Sequence, residues 1–156
     1  MTQLDPGAQA PDFSLEQDRG EPISLADLRG RKVALYFYPR DDTPGCTTQA
    51  TSFNALLTEF EATECEVVGV SGDSPASHAR FRAKHALAFP LASDPAGEIL
   101  NAYGVFAEKR MYGRVFTGIE RTTFLIDREG KVAQVWRKVK VAGHAASVLE
   151  AAQGLA

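Results

Sequence analysis

One cysteine at the junction between an apolar strand and an amphipathic helix limits most strongly how this chain can fold. The apolar run at 33–38 is rich in residues that suit a buried strand. The turn that follows is Pro39-Arg40-Asp41-Asp42-Thr43-Pro44-Gly45-Cys46. A helical pattern then extends from Thr47 to about Ala62, with apolar residues at 53, 56, 57 and 60 on one face. The sequence therefore predicts a strand–turn–helix unit with Cys46 near the helix N-terminus.

This position favours the thiolate form of Cys46. A helix N-terminus presents unpaired N–H groups and the positive end of the helix dipole, and both attract an anion. Gly45 lets the backbone approach closely, while Pro39 and Pro44 stiffen the turn. The alternative is that Cys46 is a small buried hydrophobic residue without chemical reactivity, as lone cysteines usually are. The turn alone leaves both interpretations open.

Composition indicates an ordinary globular protein. The chain has 156 residues, of which 44% are hydrophobic and 24% charged, so we expect one domain, 1–156, with a single core. The net charge of −3 gives no basic surface for nucleic acid. No apolar run reaches the ~18 residues of a membrane span, and the N-terminus lacks the regions of a signal peptide. We therefore expect no nucleic-acid or membrane partner and a cytoplasmic location.

The cysteines and histidines indicate neither a disulfide scaffold nor a metal site. Cys46 and Cys65 are too few for a disulfide framework and fit a reducing compartment. His78, His85 and His144 are scattered, and no Cys/His cluster has metal-ligand spacing. We expect each histidine at the surface or a helix cap, and neither a metal nor a cofactor.

The order of elements predicts an α/β fold. Predicted strands lie at 12–15 and 22–25, which form an N-terminal hairpin, and at 32–38, 66–71, 89–92, 122–126 and 132–136. Predicted helices lie at 47–62, 75–85 and 94–103 and begin again at 143, whereas 104–120 is predicted as a loop or irregular strand. This is βαβ followed by ββα with an inserted helix, which predicts a central mixed sheet flanked by helices.

That order resembles a thioredoxin fold, and two motifs are similar to those of the peroxiredoxin family. Pro39, Thr43 and Cys46 fit Pro-x-x-x-Thr-x-x-Cys, the peroxiredoxin active-site pattern. The stretch 36–50 resembles the subfamily of bacterioferritin comigratory proteins, or Q-type peroxiredoxins. The stretch 118–127 is similar to that subfamily's later motif, in which Arg121 stands at the active-site arginine. The similarity extends from about Gly7 to the C-terminal helix.

The resemblance implies a thiol-dependent peroxidase for hydrogen peroxide and organic hydroperoxides, with the preference between them left open. Cys46 would attack the O–O bond as a thiolate and become a sulfenic acid. Arg121 would place a permanent positive charge beside the sulfur and hold the peroxide oxygens. Thr43 would offer a hydroxyl to the thiolate or the peroxide, and Pro39 would limit the entry of water.

Further roles follow from the same resemblance. The backbone N–H groups of Gly45 and Cys46 would stabilise charge on the departing oxygen. Gln49, one turn along the helix, would hold the active-site backbone. Asp41 and Asp42 would disfavour the thiolate if they faced the sulfur, so we expect both to point to solvent.

The chain departs from the subfamily in lacking a second cysteine at the familiar positions. Many members carry a resolving cysteine five residues after the reactive one, where this chain has Thr51; others carry it in the helix that corresponds to 75–85. A continuous helix after Cys46 would separate it from Cys65 by roughly 24 Å, and a disulfide needs Cα atoms within ~7 Å. We expect an inert, buried Cys65 and a monomeric one-Cys peroxiredoxin, reduced by an outside thiol such as thioredoxin.

Three other functions can be compared with this one. A thioredoxin-like disulfide reductase needs Cys-x-x-Cys, but Thr43 and Gln49 stand three residues before and after Cys46. A glutathione peroxidase would carry a different motif, which is absent. A peroxide-sensing or holdase module on the same fold is the non-enzymatic alternative. Peroxide consumption with and without an added thiol discriminates between that module and a peroxidase.

Overall fold

One mixed sheet organises the molecule and confirms the predicted architecture. The computed structural model describes residues 4–156, apart from the side chains of 109–111 and 116. Residues 1–3, which belong to the N-terminus considered above for a signal peptide, lie outside this range. The sheet strands are β1 (Ser14–Gln17), β2 (Ile23–Ser24), β3 (Lys32–Phe37), β4 (Cys65–Ser71), β5 (Leu91–Ser93), β8 (Thr122–Ile126) and β9 (Val132–Trp136), in the order β2-β1-β5-β4-β3-β8-β9. β3 is parallel to β4 and antiparallel to β8. The predicted N-terminal hairpin is present as the antiparallel pair β1–β2.

Helices cover both faces of this sheet. They are α1 (Pro44–Ala55), α2 (Leu57–Ala62), α3 (Pro75–His85), α4 (Glu98–Ala102) and α5 (His144–Gln153). Phe53, Phe60, Phe81 and Val148, one each from α1, α2, α3 and α5, belong to one core, whereas Leu100 of α4 belongs to the other. The result is a three-layer α/β fold. Within residues 4–156, no helix has the length and apolar character needed to cross a membrane.

β3 is central because its two faces contribute to different cores. Val33, Leu35 and Phe37 pack into the core on the α4 side, while Ala34 and Tyr36 pack into the other core. All six residues of β3 are buried. A strand that is covered on both faces is a continuous apolar run rather than an alternating one, which explains the pattern in the sequence. The turn that carries the cysteine therefore starts at the end of a fully buried strand.

The predicted helix at 47–62 is wrong in its start and its continuity. α1 begins at Pro44, and Thr43, with extended backbone angles, is its N-cap residue. Proline suits the first helical position because its missing N–H needs no partner there. The helical path is interrupted at Leu56, whose φ of −105° and ψ of 8° are not helical, and α2 starts at the next residue. Cys46 thus lies inside the first turn of a helix rather than ahead of it.

The segment predicted as a loop or irregular strand at 104–120 contains a second hairpin. β6 (Phe106–Met111) and β7 (Arg114–Ile119) pair with each other and not with the main sheet. Tyr112 and Gly113 form the turn, and their φ angles of 53° and 75° are those of the two-residue turns that suit hairpins. Gly113 therefore lies in the turn, whereas Gly118 lies within β7.

The remaining predicted elements are present, with modest shifts at their ends. Ser74 caps α3 by accepting the N–H of Ser77 at 3.1 Å. α4 is shorter than predicted and begins after Gly97, although Asp94 accepts the N–H groups of Ile99 and Leu100 at 2.9 and 2.8 Å. β8 and β9 pair as predicted, and α5 begins at His144. Residue types typical of strands and helix caps were therefore sufficient to predict these elements.

Candidate active site

Cys46 occupies the third position of α1, where helix geometry leaves N–H groups unpaired. The Thr43 carbonyl accepts the first intrahelical bond, from the N–H of Thr47 at 2.8 Å. The N–H groups of Gly45 and Cys46 therefore precede the hydrogen-bonded part of the helix. The Cys46 side chain is buried, with 1% of the residue exposed. A charge that develops beside this sulfur would face two backbone donors and the positive end of a helix dipole.

Arg121 is distant from Cys46 in the sequence but contacts its sulfur in the fold. The antiparallel register pairs Phe37 with Thr122, so the residue before β8 lies beside the end of β3. Arg121 Nη2 lies 3.4 Å from Cys46 Sγ and donates a hydrogen bond to it, across 75 residues of sequence. Its Nη1 donates to Gln49 Oε1 at 2.6 Å. The fold thus brings the two predicted motifs into direct contact.

Gln49 orients the arginine from within α1. Its side chain is buried one turn after Cys46, and its Oε1 is taken by the Arg121 guanidinium. Its Nε2 is also buried and has no hydrogen-bond partner among the described residues. Buried donors are usually satisfied, so this amide is available to an oxygen atom that enters the site. The contact with Arg121 adds to the backbone role that the sequence predicted.

Gly45 leaves the space that the guanidinium occupies. A Cβ atom built on Gly45 would lie 3.1 Å from Arg121 Nη2, closer than ordinary packing allows. The backbone at this position needs no positive φ, because Gly45 is not among the residues with that conformation. Close approach of Arg121 is therefore the structural reason for a glycine here.

Thr43 and Pro39 lie in the turn, as predicted, and their predicted roles stay predictions. The Thr43 hydroxyl donates to the Arg40 carbonyl at 2.9 Å, and the hydrogen bonds of the described residues include none from Thr43 to Cys46. Both Thr43 and Pro39 are half-buried. The turn therefore places the threonine near the helix start, with its hydroxyl held by the backbone.

The expected solvent exposure of Asp41 is wrong. The turn folds back onto α3, and the Asp41 side chain is only 4% exposed. Its carboxylate bonds with the Tyr38 hydroxyl at 2.6 Å, the Ser77 hydroxyl at 2.8 Å and His78 Nδ1 at 2.7 Å. Local sequence pattern cannot show that a polar turn packs against polar side chains of a distant helix, so the prediction was wrong.

Asp42 is exposed, which confirms the prediction for that residue. It pairs at the surface with Lys84 Nζ at 2.8 Å and His85 Nε2 at 3.1 Å. Hydrogen bonds from Lys84 and then His85 lower the pKa of Asp42. Two adjacent aspartates thus bind α3, one inside the protein and one in solvent.

Two of the three histidines are buried: His144 lies at the start of α5, in keeping with the expected cap position, whereas His78 lies inside α3 at neither the surface nor a cap. His78 is fully buried, and its place three residues before Phe81 on the packed face of α3 was the available signal. His144 Nε2 lies 2.8 Å from Thr123 Oγ1. Burial and then the charge of Arg121 lower the pKa of His144 to about 4, so its ring is neutral at pH 7. Among the described residues, no cluster of three or more candidate metal ligands is present.

Cys65 lies far from this site and has an unreactive setting. It begins β4 as predicted, pairs in register with Lys32, and is 3% exposed. Cys46 instead follows the opposite end of β3, and six strand residues span about 17 Å. Burial raises the pKa of the Cys65 thiol to about 12, so thiolate is scarce at neutral pH. Both cysteines are free thiols.

A protein-family model and individual proteins of known sequence both match this chain over most of its length. The AhpC/TSA family matches residues 6–135. Peroxiredoxin Bcp of Xanthomonas campestris is 50% identical over 140 residues, covering 90% of this chain and 88% of that protein. Peroxiredoxin Bcp of Bacillus subtilis is 44% identical over 144 residues, covering 92% of each.

Solved structures agree with the sequence relatives. The structure of the Xanthomonas campestris bacterioferritin comigratory protein superimposes with a TM-score of 0.90 at 46% identity, covering 96% of this chain and 98% of that one. The shared family, the shared fold and the contact between the two motifs lead to one conclusion. This chain belongs to the AhpC/TSA family, among the peroxiredoxins of the Bcp or Q type, and is a thiol-dependent hydroperoxide reductase.

Proposed function

We propose that Cys46 is the nucleophile of this peroxidase and that Arg121 is its catalytic partner. The 3.4 Å contact between Arg121 Nη2 and Cys46 Sγ at the start of α1 carries the proposal. The Cys46 thiolate attacks one oxygen of the hydroperoxide, so that an S–O bond forms while the O–O bond breaks. The sulfur gives up two electrons and becomes a sulfenic acid, and the other oxygen leaves as an alkoxide or hydroxide that takes up a proton.

Each neighbouring group has a role in this step. The Arg121 charge favours the thiolate, and its second guanidinium nitrogen keeps the plane fixed through Gln49. The N–H groups of Gly45 and Cys46 face the oxygen on which charge develops. The unpaired Gln49 Nε2 is a further donor to a bound oxygen.

Thr43 and Pro39 complete the pocket in this proposal. Turning its hydroxyl from the Arg40 carbonyl would let Thr43 bond the peroxide or the sulfur. Pro39, half-buried at the end of β3, excludes water from one side of the pocket. Both assignments are supported by their place in the Cys46 turn.

We further propose a one-Cys cycle in which an outside thiol reduces the sulfenic acid. The burial of Cys65, its raised pKa and its place at the opposite end of the parallel strands support this cycle. The outside thiol, a small thiol or a thioredoxin-type protein, forms a mixed disulfide and releases water. A second thiol then frees Cys46. Hydrogen peroxide and alkyl hydroperoxides are the proposed substrates, since alkyl peroxide reduction is described for the Xanthomonas campestris relative.

A cytoplasmic monomer of one domain fits these features. Two free, buried thiols suit a reducing compartment. Among the described residues, the large apolar side chains that are exposed are Tyr112 and Val115, both on the β6–β7 hairpin, so no broad apolar patch indicates a subunit interface. The seven strands of the main sheet extend along the chain from β1 to β9, so a single sheet includes most of 1–156, which supports one domain.

Oxidation with one equivalent of peroxide, followed by intact mass measurement, tests the one-Cys cycle. We expect the monomer mass plus one oxygen, and capture of that species by a sulfenic-acid reagent at Cys46. Excess peroxide should then produce sulfinic acid, because no thiol of the chain is near enough to intercept the intermediate. An added thiol should slow this second oxidation in proportion to its concentration.

Two results would contradict the proposal. A mass two hydrogens below that of the reduced protein, mapped to a Cys46–Cys65 bridge, would show that the chain resolves its own sulfenic acid. Sulfinic acid formation that ignores added thiol would favour the peroxide-sensing module over a recycling enzyme. The Cys65→Ser variant is the matched control, because it should give the same products as the unmodified chain.

A further inference from the structure

A buried polar cluster joins the Cys46 turn to α3. We call it the turn clamp and define it as Tyr38, Asp41, Ser77 and His78. Asp41 lies in the turn five residues before Cys46, while Ser77 and His78 lie on α3. Three side-chain bonds of 2.6–2.8 Å converge on the Asp41 carboxylate. This contact was not expected from the sequence and is independent of the Arg121 contact.

The hydrogen-bond partners of His78 define the charge of the clamp. Its Nε2 lies 3.1 Å from the Ala92 carbonyl oxygen, which can only accept, so Nε2 carries a proton. Its Nδ1 lies 2.7 Å from Asp41 Oδ2, and one proton must lie between these two atoms. Whether that proton is on nitrogen or oxygen, the pair as a whole is neutral. The Asp41–His78 pair therefore adds no net charge between the turn and α3.

The backbone of the turn is fixed at the same place. The Asp41 N–H donates to Asp73 Oδ2 at 2.8 Å, and the Ser71 hydroxyl donates to the same oxygen at 2.7 Å. Burial raises the pKa of Tyr38, so its hydroxyl keeps its proton and donates to Asp41. Arg82, also on α3, binds Asp18 rather than Asp41. Asp41 is thus held through both side chain and backbone.

We propose that the turn clamp positions the Cys46 turn for peroxide attack, with Asp41 and His78 as positioning residues that do not touch the substrate. This proposal rests on the proposed peroxidase function. Removing the clamp should let Pro39 and Thr43, the turn residues that complete the proposed pocket, shift out of place while α1 and its cysteine stay beside Arg121. Because displacement of reacting groups by about 1 Å can cost about 100-fold in rate, a loosened turn should be a poor peroxidase site.

Two reactions of the same thiol distinguish positioning from a general loss of structure. Reaction with hydrogen peroxide needs the arranged pocket, whereas alkylation by iodoacetamide needs only an accessible thiolate. We expect Asp41→Asn to lower the ratio of peroxide rate constant to alkylation rate constant by about tenfold or more. Alkylation itself should stay the same or become faster, because Cys46 is buried in the intact protein. Ser77→Ala, which removes one bond to Asp41, should lower the ratio by a smaller factor.

The adjacent Asp42 provides the matched control. Asp42→Asn makes the same chemical change in the same turn but removes only exposed pairs with Lys84 and His85. The ratio of the two rate constants for Asp42→Asn should stay within about twofold of the ratio for the unmodified protein, because exposed ion pairs contribute little. Circular dichroism melts ensure that all rates are measured well below unfolding.

The ratio of the peroxide rate constant to the alkylation rate constant tests the proposal in each variant. An unchanged ratio in folded Asp41→Asn, including an equal fall in both rates, overturns it. Should Asp41→Asn fail to fold, Ser77→Ala decides by the same criterion. An unmodified protein that does not react with peroxide at all would instead contradict the proposed function, so the two failures are distinguishable.

Discussion

At the residue scale, the proposed chemistry rests on the contact between Arg121 and the Cys46 sulfur. A guanidinium is charged at physiological pH, and its planar fork can bind two groups at once. Here one branch binds the sulfur and the other binds Gln49. The residue therefore supplies both charge and orientation, which a point charge such as lysine cannot do equally well.

Changing Arg121 should separate these two contributions. We expect Arg121→Gln to lower the second-order rate constant for hydrogen peroxide at pH 7 by at least about tenfold, or ~1.4 kcal/mol, because a close cation is lost. Arg121→Lys should fall between this variant and the unmodified protein. Stopped-flow measurement of Cys46 oxidation provides the rate constants.

Arg128→Gln is the control for the Arg121 variants. Arg128 makes an exposed pair with Glu64 at 2.8 Å and follows the end of β8 opposite to Arg121, so its loss should leave the rate unchanged. Equal rate constants for Arg121→Gln and Arg128→Gln would contradict a catalytic role for the Arg121–Cys46 contact.

At the scale of the element, the sequence correctly predicted a cysteine at the start of a helix after β3, but it misplaced the first residue of α1. The apolar run of β3 and the Pro-Gly turn predicted a strand, a turn and a cysteine at a helix start. The prediction began the helix after Cys46, because Pro44 was read as part of the turn rather than as the first helical residue. Local propensity could not show that Thr43 adopts the cap conformation.

Gly45 tests whether the shape of this helix start matters. We expect Gly45→Ala to lower the peroxide rate constant by about threefold to tenfold, since the added methyl group crowds Arg121 Nη2. Thermal stability should not fall, because alanine favours a helix over glycine by about 0.5–1 kcal/mol. Kinetics and melting temperature measured together show whether rate and stability separate.

Gly154→Ala is the counterpart with room for a methyl group. Its nearest non-neighbouring atoms would lie 3.7 Å away, an ordinary contact, at the C-terminal cap of α5. Its peroxide rate constant should match that of the unmodified protein. A Gly45→Ala protein with full activity would show that the close approach of Arg121 is not required.

At the scale of the whole molecule, long-range pairing creates the site. The antiparallel register of β3 and β8 brings a motif near residue 121 to a motif near residue 46, and only the resemblance to a family linked the two beforehand. The contact between Asp41 and His78 could be predicted neither from the sequence pattern nor from the family resemblance. Their contact joins a turn to α3 through polar atoms, and no apolar period or cap signal in the sequence encodes such a pair. The β6–β7 hairpin was predicted only as a loop or irregular strand, and its pairing apart from the main sheet was not predicted.

Buried His144 should make the stability of the whole fold depend on pH. Its pKa is about 4 in the folded protein and near 6.5 when unfolded, so the unfolded chain binds the proton more readily between these values. Stability is therefore full above about pH 6.5 and falls as the pH drops toward 4. The change for this one group is about 3 kcal/mol.

His144→Gln removes this titration while keeping an amide that can bond Thr123. Between pH 7 and pH 4, urea unfolding should show a smaller loss of free energy for His144→Gln than for the unmodified protein, by about 2–3 kcal/mol. Parallel stability curves for the two proteins would mean that His144 is protonated in the folded state as easily as in the unfolded chain.

The most direct test of the central claim is hydrogen peroxide consumption, with an added thiol, by Cys46→Ser and Cys65→Ser measured side by side. The two changes are chemically identical and affect the two cysteines of the chain. We expect Cys46→Ser to lose all thiol-dependent turnover and Cys65→Ser to retain most of it. Substantial turnover by Cys46→Ser, under the conditions in which the unmodified protein is active, would contradict the assignment of Cys46 as the nucleophile.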